Sequence, residues 1–172
     1  MIAVVAVVGA TATGKSDLGV ALAQALGGEV INADAMQLYR GMDIGTAKLT
    51  VPQRFGVPHH QLDVLDVRDE ASVAAYQRQV RVSVDDIAAR GKVPVVVGGS
   101  GLYVRAALDR LEIPPTDPAL RADLEREAVT LGASAMHMRL TAADPLAAQH
   151  ILPGNVRRVV RAKLGPAREA SR

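Results

Sequence analysis

The 172-residue sequence contains no cysteine and no tryptophan, and its aromatic residues are one Phe and three Tyr. The absence of cysteine excludes a disulfide framework and thiolate chemistry, and it is typical of a reducing compartment. With so few aromatic rings, no stacking platform for single-stranded nucleic acid stands out. The apolar run at residues 1–8 is too short to cross a membrane and lacks a signal-peptide pattern, so we expect a cytoplasmic protein with no membrane partner.

Positive charge is concentrated at one end of the chain. Residues 1–150 contain 14 Lys and Arg against 17 Asp and Glu, whereas residues 151–172 contain 6 against 1. A basic terminal segment can follow a nucleic-acid backbone, but a solvated helix face is the commoner explanation. Charge alone therefore does not predict an RNA partner, and the chain length suits a monomer with its own core.

Alternating strand and helix patterns predict the α/β fold class. The run from Val4 to Val8, stopped by Gly9, is typical of a central strand buried on both faces, and further strands are predicted over residues 30–33 and 93–97. Strands that alternate with helices indicate right-handed crossovers and therefore a parallel sheet flanked by helices. Residues 34–56 are too rich in polar residues and glycine for regular structure, and we expect mostly loop.

Two amphipathic helices are predicted between these strands, each from an apolar stripe with a start or stop signal. The first ends at a left-handed cap at Gly27 and Gly28, and its stripe is Leu18, Ala21, Leu22, Ala25 and Leu26. The second begins after a Ser72 cap, and its stripe is Val73, Tyr76, Val80, Val84 and Ile87.

The last third of the sequence has the pattern of an all-helical segment. Pro114 and Pro115 mark a break, after which Asp117 and Asp144, each followed by proline, predict helix starts. The first of these helices has the stripe Leu120, Leu124 and Leu131, and a final helix from Asn155 has the stripe Val156, Val159 and Val160. We predict an α/β core over residues 1–113, a helical insert over 114–154, and a return towards the core over 155–172.

A phosphate-binding loop is predicted between the first strand and the first helix. Its residues fit the Walker A spacing: Gly9, Ala10, Thr11, Ala12, Thr13, Gly14, Lys15 and Ser16. Backbone N–H groups at a helix N-terminus favour an anion, Lys15 adds a full positive charge, and the Ser16 hydroxyl can ligate Mg²⁺. The loop therefore predicts polyphosphate binding, without indicating which diphosphate or triphosphate is bound.

Asp34 is a candidate general base, because it follows the second strand and so lies at the edge of the sheet where the phosphate loop lies. An aspartate in that position is more often a turn or helix-cap residue, and position alone does not decide between the two. His59 and His60 are adjacent and no cysteine or spaced carboxylate accompanies them, so hydrogen bonds that fix a loop are the better interpretation than a metal site.

Several further segments resemble the signatures of the tRNA dimethylallyltransferase family, beginning with residues 34–39 and 41–48. Residues 57–63 resemble its histidine-pair segment, residues 97–103 its third glycine loop, and residues 117–121 the start of its helical insert. Asn155, Arg158, Arg161 and Ala162 resemble the segment where its chain re-enters the core. The resemblance covers residues 3 to about 162 in order. It is more specific than the Walker pattern alone, because separate motifs occur at compatible spacing.

The resemblance implies a P-loop NTPase-like sheet with a small helical insert after the third motif. It also implies transfer of a dimethylallyl group from dimethylallyl diphosphate to the N6 amine of an adenine beside the anticodon of tRNA. Asp34, Ser100 and Arg121 are the implied catalytic residues, and Ser16 would ligate Mg²⁺. The implied tRNA-binding residues are Asp34, Ala35, Met36, Gln37, Arg157, Arg158, Val159, Val160 and Arg161.

The resemblance is lost after Ala162, where Gly165 and Pro166 break a helix. Members of the family run far beyond this length, so we expect a truncation or frameshift, an incomplete sheet and impaired activity, although a designed fragment would have the same sequence. Two alternatives stay open: a nucleotide or metabolite kinase that uses the same loop, and an inactive remnant that retains phosphate binding. No separate arginine-bearing lid of the kind that a kinase needs can be identified.

Overall fold

The computed structural model describes residues 3–109, 111–113 and 117–163. The chain divides into two compact units, residues 1–113 and 114–172. All four described strands lie in the first unit, and the described elements of the second unit are all helices. The predicted break at Pro114 and Pro115 and the predicted basic tail from residue 164 onward lie outside the described residues.

The first unit is a parallel four-stranded sheet flanked by helices, so the predicted α/β class is confirmed. Its strands are β1 (Val5–Val8), β2 (Glu29–Asn32), β3 (His59–His60) and β4 (Pro94–Gly98). The strand order is β1-β4-β2-β3, and every pairing is parallel. All residues of β2 and β4 are buried, as expected of strands covered on both faces.

β1, predicted as a central strand, lies at the edge of the sheet that the described residues form. Val7 is buried, whereas the side chain of Val8 is 54% exposed. An apolar run records that a strand is hydrophobic but not where it lies in the sheet, and the β-branched sequence of β1 is compatible with either place. Among the described residues, no strand pairs with the outer edge of β1.

Three helices cover this sheet: α1 (Lys15–Leu26), α2 (Val73–Ala89) and α3 (Gly101–Leu108). The Ser72 cap of α2 is confirmed, because the Ser72 side chain accepts a hydrogen bond from the Ala75 backbone N–H. The left-handed cap of α1 is also confirmed, because Gly27 has φ 62°. The stripe predicted for α2 is confirmed as well, with Tyr76, Val80 and Ile87 buried.

The stripe predicted for α1 is wrong in phase. The buried residues of α1 are Gly19, Val20 and Ala23, whereas Leu18 is 53% exposed and Leu26 is 45% exposed. A Cβ added at Gly19 would lie 2.5 Å from the Val97 side chain on β4, so the absence of a side chain lets the helix approach the sheet. A glycine that allows close backbone approach adds no apolar side chain to the hydrophobic pattern. The periodicity of α1 therefore predicted the wrong face of the helix as the buried one.

The second unit contains α4 (Pro118–Ala143), α5 (Pro145–His150) and α6 (Val156–Lys163). The two predicted aspartate caps are confirmed, since Asp117 accepts from the Leu120 N–H and Asp144 accepts from the Ala147 N–H. Leu131 of the predicted α4 stripe is 49% exposed, because the non-helical φ of 82° at Gly132 next to it interrupts the helix. The core of this unit comprises Leu124, Ala128, Met136, Leu140, Ala148, Val159 and Val160.

Candidate active site

The loops that follow β1, β2 and β4 meet at the carboxyl edge of the sheet, where ligands of doubly wound sheets bind. They enclose a cavity of about 530 Å³. Residues Thr11 to Asp17, Asp34 and Ser100 all line this cavity. The prediction that the phosphate loop and Asp34 lie at one edge therefore agrees with the structure.

The phosphate loop has the strand-loop-helix geometry that its sequence predicted. Gly14 has φ 75°, a conformation that suits glycine, and α1 starts at the next residue. The Thr13 hydroxyl donates to the Ala10 carbonyl at 2.8 Å, and the Lys15 ammonium folds back to donate to the same carbonyl. Lys15 and the N-terminus of α1 thus direct positive charge at the cavity, and a polyphosphate is the ligand that this charge favours.

The third glycine loop packs directly against the other two loops. A Cβ added at Gly98 would overlap the Ala33 carbonyl, immediately before Asp34. A Cβ added at Gly99 would lie 2.8 Å from the Gly9 carbonyl and 3.8 Å from Lys15 Nζ. The approaches to the Ala33 and Gly9 carbonyls are too short for a side chain, so Gly98 and Gly99 fix the spacing between the phosphate loop and the Asp34 loop.

Hydrogen bonds hold the backbone around Asp34 on all sides. The Asp34 N–H donates to Asn32 Oδ1 at 3.0 Å, and Asn32 Nδ2 donates at 2.9 Å to the carbonyls of both Asp34 and Gln61. Asp34 Oδ1 accepts from the Met36 N–H at 2.9 Å. In the part of the chain that the structure describes, no protein group donates to Asp34 Oδ2. That oxygen is therefore able to accept a hydrogen bond or a proton from a ligand in the cavity.

Ser100 links the third glycine loop to the segment after Asp34. Its hydroxyl oxygen accepts from the Ala35 N–H at 3.1 Å, and its own proton stays available as a donor. Met36 is 48% exposed, and Gln37 lines the cavity while its amide donates to the Thr46 carbonyl. The predicted residues Asp34 to Gln37 therefore form one short segment at the cavity.

The remaining predicted residues belong to the second unit. Arg121 lies on α4, where its guanidinium donates to Glu125 at 2.8 Å. On α6, Arg157, Arg158 and Arg161 are exposed. Val159 and Val160 of the same helix are buried in the core of the second unit, so the side chains that α6 presents to solvent include the three arginines.

The sequence interpretation missed part of the cavity wall. His59 and Leu62, around the short strand β3, line the cavity together with Ala47 and Leu49. A two-residue strand has no periodicity from which it could be recognised. The interpretation of the histidines as loop-fixing residues agrees with their hydrogen bonds, since His59 Nδ1 lies 2.8 Å from the Val57 carbonyl. Burial lowers the pKa of His59, so the ring is neutral at pH 7.

Mg²⁺ is compatible with this cavity at one position. Ser16 lies at the start of α1, lines the cavity, and has the hydroxyl that a Walker-type loop uses as a ligand. Among the described residues, no group of three or more His, Asp or Glu side chains could hold a metal. An ion at Ser16 would therefore complete its coordination with phosphate oxygens and water, which is how Mg²⁺ is usually held beside phosphates.

Comparison with protein families identifies the chain. A family model described as IPP transferase matches residues 37–164, and one described as isopentenyl transferase matches residues 2–56. The chain belongs to the IPP transferase family. Membership confirms the resemblance predicted from the loop signatures, and it gives no support to the kinase alternative.

Curated and solved IPP transferase relatives agree with this assignment. The tRNA dimethylallyltransferase of Salinispora arenicola is 67% identical over 159 residues, which cover 92% of this chain and 46% of that relative. A full-length tRNA isopentenylpyrophosphate transferase from Bacillus halodurans is 44% identical with a TM-score of 0.64, covering 95% of this chain and 55% of that chain. A eukaryotic dimethylallyltransferase acting on tRNA is 28% identical with a TM-score of 0.80, covering 99% of this chain and 44% of that chain.

These relatives confirm the P-loop NTPase-like fold class of the first unit. The chain spans about half the length of the IPP transferases that it matches. Among the described helices, none combines the length and apolar character that crossing a bilayer requires.

Proposed function

We propose that this chain forms the diphosphate-binding and adenine-activating part of a tRNA dimethylallyltransferase. The observation that supports this most directly is the shared cavity, which is lined by Lys15, the first residues of α1 and Asp34. Alkylation of an adenine amine needs both features, because charge develops on the departing diphosphate while the amine loses a proton. The relatives named as tRNA dimethylallyltransferases give the same substrate class.

The donor substrate would be dimethylallyl diphosphate, bound with its phosphates on Gly9 to Ser16. As the allylic carbon–oxygen bond breaks, its electron pair leaves with the diphosphate, and Lys15 and the backbone N–H groups stabilise that charge. Ser16 would hold Mg²⁺, whose charge adds to theirs. Thr11 lines the cavity and can contact the phosphate or the isoprenoid.

The acceptor would be the N6 amine of an adenine beside the anticodon of tRNA. A new carbon–nitrogen bond forms at N6, and the proton that leaves N6 passes to Asp34 Oδ2. Ser100 and the segment from Ala35 to Gln37 would orient the base, which has to leave its stack to reach the cavity. A tRNA substrate makes the cytoplasm the expected location.

The second unit would contribute contacts to RNA. Arg158 and Arg161 are one helical turn apart on an exposed face of α6, so both can pair with phosphates on one side of an RNA strand. Arg157 adds a third cation. Arg121 on α4 is proposed to act with them in placing the acceptor.

A single-turnover assay tests this function. The chain is incubated with radiolabelled dimethylallyl diphosphate, Mg²⁺ and a tRNA anticodon stem-loop, in parallel with ATP as the alternative donor. Transfer of the isoprenoid to RNA is the expected result once the chain is extended by the C-terminal half of the Salinispora arenicola relative, and the 172-residue chain alone should transfer little or none. Phosphoryl transfer from ATP without prenylation would contradict the proposal in favour of a kinase, and diphosphate binding with neither reaction would favour the inactive remnant. The chain spans only about half the length of its relatives. The assay is therefore run in parallel on a longer protein, in which the chain is extended by the C-terminal half of the Salinispora arenicola relative.

A further inference from the structure

Lys48 is a buried cation behind the cavity wall. Its side chain is 2% exposed, and its ammonium donates hydrogen bonds to Asp63 Oδ1 and the Tyr39 carbonyl, each at 2.7 Å, and forms an ion pair with Asp43 Oδ1 at 2.8 Å. The ammonium therefore has three oxygen partners, as many as it has N–H donors. Burial opposes the charge, but the bonds to the two carboxylates outweigh burial and raise the pKa of Lys48 above 10.5. The residue is charged throughout the physiological range.

Two acceptors of Lys48, Asp63 and the Tyr39 carbonyl, belong to segments that also line the cavity. Asp63 directly follows Leu62, which lines the cavity, and Tyr39 closes the turn that contains Gln37. On the lysine segment itself, the flanking residues Ala47 and Leu49 both line the cavity. The Lys48 ammonium therefore connects three segments of the cavity wall without lining the cavity itself.

Two residues of this connection have strained backbone conformations. Ala47 has φ 53° and Asp63 has φ 56°, left-handed conformations that cost a non-glycine residue on the order of 1 kcal/mol or more. Such conformations persist where surrounding contacts determine them. Arg54 adds to those contacts, donating to the Leu49 carbonyl at 3.0 Å and lying 3.8 Å from Asp63.

We propose that Lys48 is a positioning residue for the transfer reaction, holding these segments of the cavity wall together so that Gln37 and Asp34 meet the acceptor base in register. This inference rests on the proposed function. Lys48 does not line the cavity, so it acts through the segments that it connects. The effect should therefore appear in the rate of transfer and not in diphosphate binding.

The test compares Lys48→Met with a matched control, Lys92→Met. Lys92 also pairs with a buried carboxylate, Glu29 at 2.7 Å, but outside the cavity lining. In the extended chain, Lys48→Met should reduce the single-turnover transfer rate roughly tenfold to a hundredfold, the scale expected of small misplacements. Affinity for inorganic diphosphate should stay at the wild-type value, because Gly9 to Ser16 make no bond to Lys48.

A double variant separates positioning from simple stability. Lys48→Met leaves Asp43 without its cation and Asp63 with only the longer pair to Arg54, which lowers the melting temperature, and adding Asp63→Asn removes one of those charges. The double variant should regain most of the lost melting temperature and none of the lost rate. Recovery of both would overturn the inference, as would a wild-type rate in Lys48→Met or an equal loss in Lys92→Met. Absence of transfer in the wild-type extended chain would instead overturn the proposed function.

Discussion

Hydrogen bonds to the backbone of Asp34 and to one of its carboxylate oxygens hold the residue in place. The two carboxylate oxygens therefore have different roles. Oδ1 accepts from the Met36 N–H at 2.9 Å and fixes the turn, which leaves Oδ2 for the substrate. Asn at this position retains an Oδ1 acceptor but cannot take a proton. The isosteric change therefore tests chemistry without removing the turn.

Asp34→Asn should leave the melting temperature and diphosphate affinity unchanged and lower the transfer rate by roughly two to four orders of magnitude, the scale of a positioned general base. Rates are measured by single-turnover prenylation of an anticodon stem-loop. Asp109→Asn, which alters a 56% exposed carboxylate paired with Arg105, is the control. Normal turnover in Asp34→Asn would rule out its role as the base.

Lys15→Ala should abolish most of the stabilisation that dimethylallyl diphosphate and Mg²⁺ give to the protein. At ligand concentrations of about 100 times Kd, the wild type should gain about 2.7 kcal/mol, seen as an increase in melting temperature. Without ligand the two proteins should melt alike, because Lys15 makes only local bonds to Ala10 and Thr13. Equal ligand-induced shifts in both proteins would show that the Walker loop is not the diphosphate site.

At the residue scale, local motifs were predictable and tertiary neighbours were not. Gly9 to Ser16 and Asp34 could be found because each pattern lies in consecutive residues next to a strand. Lys48 and His59 could not be assigned their places in the same way. Lys48 depends on Asp63, 15 residues away in the sequence. His59 bonds to the nearby Val57 carbonyl, but its place in the cavity wall depends on the pairing of β3 with β2.

At the scale of elements, a buried charge cluster joins β2, β3 and the end of α2. Glu29 is 2% exposed, and its carboxylate accepts hydrogen bonds from Arg90, Lys92 and His60. Bonds from Arg90 make the largest contribution, burial opposes them, and together with Lys92 and His60 they hold the pKa of Glu29 well below its ordinary value of 4.5. The folded state therefore favours the ionised carboxylate more than the unfolded state does.

The free energy of unfolding should depend on pH through Glu29. Because its folded pKa is depressed, its contribution is fully present above about pH 4.5 and is lost progressively as the pH falls below that value. Urea denaturation at several acidic pH values should show this decline, and Glu29→Gln should flatten it. Asp86→Asn is the control, since Asp86 also binds Arg90 but is 59% exposed. An unchanged pH slope in Glu29→Gln would show that other carboxylates cause the decline.

The elements themselves were predictable where periodicity and caps agreed. The α2 stripe and the three capping residues are local signals, and all were confirmed. The phase of α1, the edge position of β1 and the existence of β3 were not recoverable, because each depends on packing against another strand. The hydrophobic pattern indicates whether a segment is a helix or a strand, but it does not indicate which other element that segment packs against.

At the scale of the whole molecule, the relatives are about twice as long as this sequence. The outer edge of β1 has no strand beside it among the described residues, and Val8 at that edge is 54% exposed. Unpaired strand edges and exposed apolar side chains both reduce stability and favour association. Added chain that covers β1 would remove both costs.

Extension by the C-terminal half of the Salinispora arenicola relative should therefore raise the melting temperature and the transfer rate. We expect the 172-residue chain to bind diphosphate, to bind RNA weakly, and to transfer little or no isoprenoid. RNA affinity should increase on extension and become more sensitive to salt as phosphate contacts are added. Single-turnover rates and RNA binding at two salt concentrations compare the forms, and comparable rates would show that the other half is dispensable.

The glycines at the sheet differ in whether evolution can compensate for their loss. Gly19 faces the side chain of Val97, so an alanine there could be accommodated by a smaller partner on β4. Gly98 faces the carbonyl of Ala33, and no substitution elsewhere removes a main-chain atom. Among descendants of this sequence, substitutions at positions 19 and 97 can therefore covary. Position 98 has no side chain with which to covary, so it should remain glycine.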